Sequence, residues 1–198
     1  MILFKQPKTF VIALKDHPVS EKQLQDCLAS AMKYQWDVEV FWGVYGNTLT
    51  DDSWSTIGVK PNMKKVGEKG CWFSHYYLWA KCLELNEPIV VLEHDAIIQT
   101  NWRPLEINNA LIKLHSHYRK DPNSIKWKHP ITGQWSPSTH AYCLTPNHAE
   151  ILINAAKSLG AYSADVHMGS NIIPVHMAGE PEIVSRQNSY STTCNITT

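Results

Sequence analysis

The chain has 198 residues, 43% of them hydrophobic and 18% charged, with 18 Lys+Arg balancing 18 Asp+Glu. That length suits one domain with a sizeable core, and the apolar fraction excludes a disordered chain. A net charge of zero excludes a surface that attracts nucleic acid or anionic lipid everywhere, yet cations gather locally at Lys60, Lys64, Lys65 and Lys69, and again at Lys113, Arg119, Lys120, Lys126 and Lys128.

No stretch reaches the ~18–20 apolar residues of a membrane span. The start of the chain, interrupted by Lys5, Pro7 and Lys8, lacks the apolar run of a signal peptide. Five cysteines (Cys27, Cys71, Cys82, Cys143 and Cys194) are odd in number and form no C-x-x-C pair, so they read as free thiols in a reducing compartment. A soluble cytoplasmic protein is expected, one domain over 1–198 with a flexible tail from about 194.

In chain order, Phe10 to Leu14 predicts a buried first strand. Ser20-Glu21-Lys22-Gln23 reads as a capping box, opening a helix with Leu24, Cys27, Leu28 and Ala31 on one face. Val38 to Val44 predicts a second strand, and the polar stretch from Gly46 to Pro61 a loop. A second helix is predicted from about Cys71 to Leu85, with Phe73, Tyr77, Trp79 or Ala80 and Leu83 along one side and Asn86 past its end. Ile89 to Leu92 has the continuous apolar run of a strand buried on both faces. A third helix is predicted from Leu105 to Tyr118, a strand at Tyr142 to Leu144, and a fourth helix opened by Thr145-Pro146 and stopped at Gly160. Ile172 to Val175 is a short apolar run in an irregular remainder. This alternation predicts an α/β layered sheet, in which ligands gather beyond the carboxyl ends of the strands.

Glu93-His94-Asp95 falls at such an end. Two carboxylates at i and i+2 suit a hard cation, Mn²⁺ or Mg²⁺, that also binds substrate phosphates. The plainer alternative has Glu93 capping the next turn and Asp95 in solvent. Ser74 and His75, adjacent on a helix, point in different directions and make no nucleophile pair. His115-x-His117 splays its rings on a helix, and no cysteine sits at zinc-ligand spacing, so a structural zinc site is not expected. Lys64, Lys65 and Lys69 precede the predicted second helix, a place suited to diphosphate, or else form a solvated loop. Arg119, Lys126, Trp127 and Lys128 mix cations with an aromatic ring, which suits phosphate contact and stacking, or else an exposed helix face.

The run Gly70-Cys71-Trp72-Phe73-Ser74-His75, then Trp79, then Leu92-Glu93-His94-Asp95, resembles glycosyltransferase family 25, which pairs G-C-x-x-S-H-x-x-x-W with a strand ending in L-E-D-D. Thr139 to Thr145, Asp165 and Ser189 to Thr193 extend the resemblance, which spans about residues 8 to 193. His94 replaces the family's middle acid. The resemblance implies a single GT-A-like, Rossmann-like domain with a mostly parallel sheet that binds a nucleotide sugar. It implies Glu93 and Asp95 as donor and metal ligands and Asp165 as the base. His75, on its helix, reads as a donor-phosphate contact or a structural hydrogen-bonder that packs the helix against the sheet. By analogy with other GT-A families, His176 in His176-Met177-Ala178-Gly179 is a further metal ligand. An inverting transfer needs a base that takes the acceptor hydroxyl proton. Asp165 is the first candidate and His167 the second, with a turn cap as the structural alternative for Asp165.

The expected function is therefore a metal-dependent, inverting glycosyltransferase that uses a UDP-sugar. Its acceptor would be a glycan such as lipooligosaccharide, or a hydroxymethylated base in phage DNA, with the enzyme in the cytoplasm of a bacterium or a virus-infected bacterial cell. A non-catalytic nucleotide-sugar or nucleic-acid binding module on the same fold is the alternative, favoured by His94.

Overall fold

A computed structural model gives the fold and describes residues 6–105, 110–115, 138–169, 172–178 and 182–187. Its strands are Lys8–Ala13 (β1), Val38–Trp42 (β2), Ile89–Glu93 (β3), Ala96–Ile98 (β4), Leu111–Lys113 (β5), Ala141–Leu144 (β6), Val175–Met177 (β7) and Val184–Arg186 (β8). Six of them form one sheet in the order β2-β1-β3-β6-β5-β7, and β4 pairs with β8 separately. β1 lies parallel to β2 and β3, and β5 parallel to β7, while β6 runs antiparallel to both neighbours. The sheet is thus mixed and mostly parallel, the α/β class that the sequence predicts.

Strand periodicity divides the core in two. Phe10, Ile12, Ile89 and Val91 point to one face, which is covered by helices Asp51–Ile57 (α2), Val66–Leu85 (α3), Pro146–Leu159 (α4) and Ala164–His167 (α5). Val11, Ala13, Val90 and Leu92 point to the other, under helix Pro18–Lys33 (α1) and the β4–β8 pair. Ile89 through Leu92 are fully buried, as a strand covered on both faces requires.

Several elements differ from expectation. α1 begins at Pro18, not at Ser20. His17 caps it by accepting from the Ser20 backbone, and the Ser20 hydroxyl instead accepts from the Leu14 amide at 2.8 Å. The stretch expected as loop contains a 3-10 turn, Gly46–Thr48, and α2, where Thr50 and Ser53 form a capping box and Trp54 enters the core. α3 starts five residues earlier than predicted and buries most of its circumference, leaving Tyr77 and Leu83 exposed. Within the predicted third helix, Leu111–Lys113 is strand β5, because pairing with β6 and β7 overrides local helix preference. The predicted caps of α4 at Thr145 and Gly160 are present, as is Asn86 in the left-handed conformation after α3.

Candidate active site

The spacing of the G-C-x-x-S-H-x-x-x-W run places its residues on adjoining inward rows of α3, at i, i+4 and i+8. A Cβ on Gly70 would lie 2.5 Å from the Val44 carbonyl oxygen and 2.6 Å from the Gly46 amide nitrogen, so glycine lets the two backbones touch. The Ser74 hydroxyl donates to the Gly70 carbonyl at 2.8 Å and accepts from the Val44 amide at 2.9 Å. Helix and strand end are thereby locked around a cleft lined by Ile12, Leu14, Val44, Gly46, Gly67, Cys71, Ser74, His75, Glu93 and His94. It opens at the carboxyl ends of β1 and β3, where an α/β sheet binds ligands.

Glu93 ends β3 and is held by a relay. Trp79 Nε1 donates to the Tyr142 hydroxyl at 3.1 Å, and that hydroxyl lies 2.9 Å from His75 Nδ1. His75 Nε2 lies 3.2 Å from Glu93 Oε1, which also accepts from Thr139 Oγ1. A carboxylate only accepts, so His75 Nε2 carries hydrogen, and in the neutral ring Tyr142 donates to Nδ1. Burial pushes the Tyr142 phenol well above its ordinary value, which keeps that proton in place. Burial also opposes ionisation of Glu93, but the His75 hydrogen bond, the Thr139 hydroxyl and the Arg186 charge outweigh it, and the carboxyl sits well below the usual range. His75 is fully buried with both nitrogens engaged, so it is a structural hydrogen-bonder rather than a free phosphate donor.

Asp95 sits with His94 in the turn between β3 and β4 and is buried. Its Oδ2 accepts from Arg186 Nε at 2.6 Å, while Oδ1 is buried without a hydrogen-bond partner among the described residues. Burial and the Glu93 charge raise its pKa against the opposing pull of Arg186 and His94. Each acid is thus anchored through one oxygen: both described bonds to Glu93 fall on Oε1, leaving Oε2 for a ligand, and Asp95 keeps Oδ1. Asp95 itself is not among the residues lining the cleft, but an orphaned carboxylate oxygen two residues from a second oriented carboxylate suits a hard, oxygen-seeking dication.

In the sequence Lys113 only opens a basic run. It is fully buried, and its Nζ has no hydrogen-bond partner among the described residues and lies 5.1 Å from the centre of the Tyr142 ring. Burial pulls its pKa down to about 7, while the charges of Asp165 and Glu93 act to raise it. Asp165 and Glu93 therefore lie within electrostatic reach of one ammonium, and both also raise the Cys71 thiol, after burial itself. Of the other partners of the acids, Thr139 opens the Thr139 to Thr145 stretch of the resemblance, whereas Arg186 carries no local motif that marks it.

The other expected residues are not among those that line the cleft. Asp165 is half-buried in α5, its Oδ1 accepting from the Val166 amide at 2.9 Å. His167 is buried, stacked on Trp79 at 5.4 Å with Nε2 at 3.0 Å from the Leu152 carbonyl, so the structure places it in the core and not at the cleft. His176 is exposed on edge strand β7, in line with Val90 through Cys143 and Ile112. Three strand spacings put it about 14 Å from β3, too far to share an ion with Glu93. Lys65 caps α3 and pairs with Glu68 at 3.5 Å, and neither it nor Lys69 lines the cleft. Arg119, Lys126, Trp127, Lys128, Gly179 and Ser189 to Thr193 lie outside the described residues. No helix among the described residues is long and apolar enough to cross a membrane.

A Glycosyltransferase 25 family member of Aedes aegypti is 44% identical over 70 residues, which are 30% of this chain and 12% of that protein, so the chain spans only a small part of this relative. Among solved structures, the galactosyltransferase LgtC in complex with donor and acceptor sugar analogs aligns over 86% of this chain and 73% of its own, at 11% identity and a TM-score of 0.48. A glycosyltransferase involved in the glycosylation of the major capsid of PBCV-1 aligns over 75% of this chain and 67% of its own, at 9% identity and a TM-score of 0.39. The profile described as Glycosyltransferase family 25 (LPS biosynthesis protein) matches residues 6–114, more than half of the sequence and all of the residues that line the cleft. On that match, the chain belongs to glycosyltransferase family 25.

Proposed function

We propose that the protein transfers a sugar from a nucleotide-diphosphate donor, a UDP-sugar, to an acceptor hydroxyl with inversion. The observation that supports this reading best is the pair of acids at the end of β3, each fixed through one oxygen and unengaged through the other. Glu93 Oε2 and Asp95 Oδ1 would hold Mn²⁺ or Mg²⁺. When bound, such an ion supplies Lewis-acid neutralisation of the charge on a departing diphosphate. The chain does the rest: the His75–Tyr142 relay keeps Glu93 ionised and oriented, and Arg186 holds Asp95. Asp165, in the field of the same lysine as Glu93, takes the proton of the attacking hydroxyl. The acceptor is a hydroxyl on a glycan or on a hydroxymethylated base, and the residues that favour a nucleic acid are those of 119–128.

His94, buried at the cleft in place of an acid, supports a second reading as a binding module without turnover. Release of UDP from a panel of UDP-sugars with Mn²⁺, together with a mass shift on candidate acceptors, separates the two. Transfer that disappears in Asp95→Asn and Glu93→Gln supports the enzyme. Full activity in either variant overturns the site assignment, and no turnover of any donor favours the module.

A further inference from the structure

Cys71 and His75 lie one helical turn apart on the inner face of α3, and Glu93 meets them from the end of β3. One ligand atom from each, the thiol sulfur, an imidazole nitrogen and a carboxylate oxygen, all lie within 4.8 Å of one another. We propose that Cys71, His75 and Glu93 form a binding site for a thiophilic divalent cation of the Zn²⁺ type, distinct in its donor set from the Glu93–Asp95 oxygen pair.

A tetrahedral ion with ordinary Zn–S, Zn–N and Zn–O bonds sets its ligand atoms about 3.4–3.6 Å apart. His75 Nε2 and Glu93 Oε1 already stand 3.2 Å apart, so a modest turn of the Cys71 side chain completes the three. The supporting shell is also in place. Metal-bound histidines give their other ring nitrogen to a fixed partner, and here Tyr142, itself held by Trp79, lies 2.9 Å from His75 Nδ1. Thr139 donates to the same Glu93 oxygen and helps to orient it. All three ligands line the cleft, which leaves a fourth position open to water. Sulfur and nitrogen donors select Zn²⁺ or Co²⁺ over Mg²⁺.

Binding replaces the hydrogen bond between Nε2 and Oε1. The imidazole proton moves to Nδ1 and is donated to the Tyr142 oxygen, Glu93 remains a carboxylate, and the Cys71 thiol releases its proton to solvent. One proton leaves for each ion bound. Because Glu93 is shared, the occupied site would block the transfer reaction; that consequence rests on the function proposed above, whereas the binding itself does not.

The test is a Co²⁺ titration of the metal-free 198-residue chain, followed by absorption and by calorimetry in buffers of different ionisation enthalpy. The expected result is one ion per chain, one proton released, and a thiolate-to-cobalt charge-transfer band that Zn²⁺ abolishes. Cys71→Ser, checked for folding by circular dichroism, should lose the band and bind Zn²⁺ at least tenfold more weakly, while Asp95→Asn should keep the band. No band in the wild-type chain, a band that survives Cys71→Ser, or one that disappears in Asp95→Asn would each overturn the site. No sugar transfer is needed for any of these readings, so failure of the site and failure of the proposed function are told apart.

Discussion

Among the individual residues of the site, Lys113 carries an electrostatic penalty that can be read as a pH dependence. An ammonium without a hydrogen-bond partner among the described residues is strongly disfavoured in the interior. Its pKa, depressed from 10.5 to about 7, expresses that penalty as a pH dependence. The unfolded chain keeps the lysine proton up to about pH 10.5 and the folded chain only to about 7, so between these values the unfolded state binds more protons and stability rises with pH. Below pH 7 both states are protonated and the penalty is fully present. Above the ordinary thiol value of 9.0 the effect is offset by Cys27 and Cys82, which burial pushes up to about 12, so their contribution is lost as pH climbs towards that value. The clean window is pH 7 to 9. Lys113→Met should raise the urea midpoint at pH 7 and flatten its rise between pH 7 and 9, because replacing a buried charge by an apolar side chain of similar volume is often stabilising. A variant with the wild-type midpoint and slope would refute the unpaired-charge account. If the ammonium serves the acids beside it, the same variant should also lose at least tenfold in transfer rate while gaining stability, a trade-off typical of functional sites. Tyr142→Phe tests the relay: removing the hydroxyl leaves Trp79 Nε1 and His75 Nδ1 buried without it, which should cost about 1–3 kcal/mol. An unchanged thermal midpoint would show that the hydroxyl holds nothing.

The element that organises the cleft is α3, and its seat on the 44–46 segment depends on two glycines. A Cβ on Gly46 would fall 1.8 Å from the Val66 carbonyl oxygen, and one on Gly70 would meet two backbone atoms within 2.6 Å. Gly58 differs: it has φ +67° with nothing within 4 Å of a built Cβ. Gly58→Ala should therefore cost only the left-handed strain, roughly 1–2 kcal/mol. Gly70→Ala forces helix and strand end apart, and should exceed the 1–3 kcal/mol typical of overpacking because backbone cannot move aside like a side chain. Thermal unfolding of the two variants should show the larger loss at Gly70, and equal losses would mean that the close approach does not hold the helix.

This seat also shows what can be read from residues alone. The apolar run of β3, the caps of α4 and the i, i+4 repeat of α3 are local signals, and each marks a real element. β5 is not legible because Ala110, Leu111, Lys113 and Leu114 favour helix locally, and only its partners β6 and β7 make it a strand. In the site, Glu93 and Asp95 stand out as a motif. Arg186 reaches Asp95 across 91 positions of chain and Lys113 enters the core from a basic run, so neither has a local signature. His167 and His176 look equally reactive in sequence, and burial on one side and edge position on the other separate them from the acids.

At the scale of the whole molecule, the sheet is rigid on both faces and its ligand end is assembled from distant parts. β1 and β3 bring Leu14 and Glu93 to the cleft, α3 brings Cys71 and Ser74, and β8 returns from near the end of the chain to hold Asp95. A ligand bridging these elements stabilises the native state as a unit, by RT ln(1 + [L]/Kd), which is about 2.7 kcal/mol at a hundredfold excess over Kd. For a chain of this size each kcal/mol moves the thermal midpoint by about 2–4 °C, so saturation with UDP and Mn²⁺ should raise it by about 5–10 °C. The ion and the diphosphate are expected to meet at the unengaged oxygens of Glu93 and Asp95, so neither ligand alone should give the full shift. Glu93→Gln and Asp95→Asn keep the size of each side chain while removing its charge, and should lose most of the combined shift. Scanning calorimetry of the three proteins with UDP, with Mn²⁺ and with both would decide it. A wild-type midpoint unmoved by the pair, or variants that shift as far as the wild type, would place the nucleotide sugar somewhere other than the end of β3.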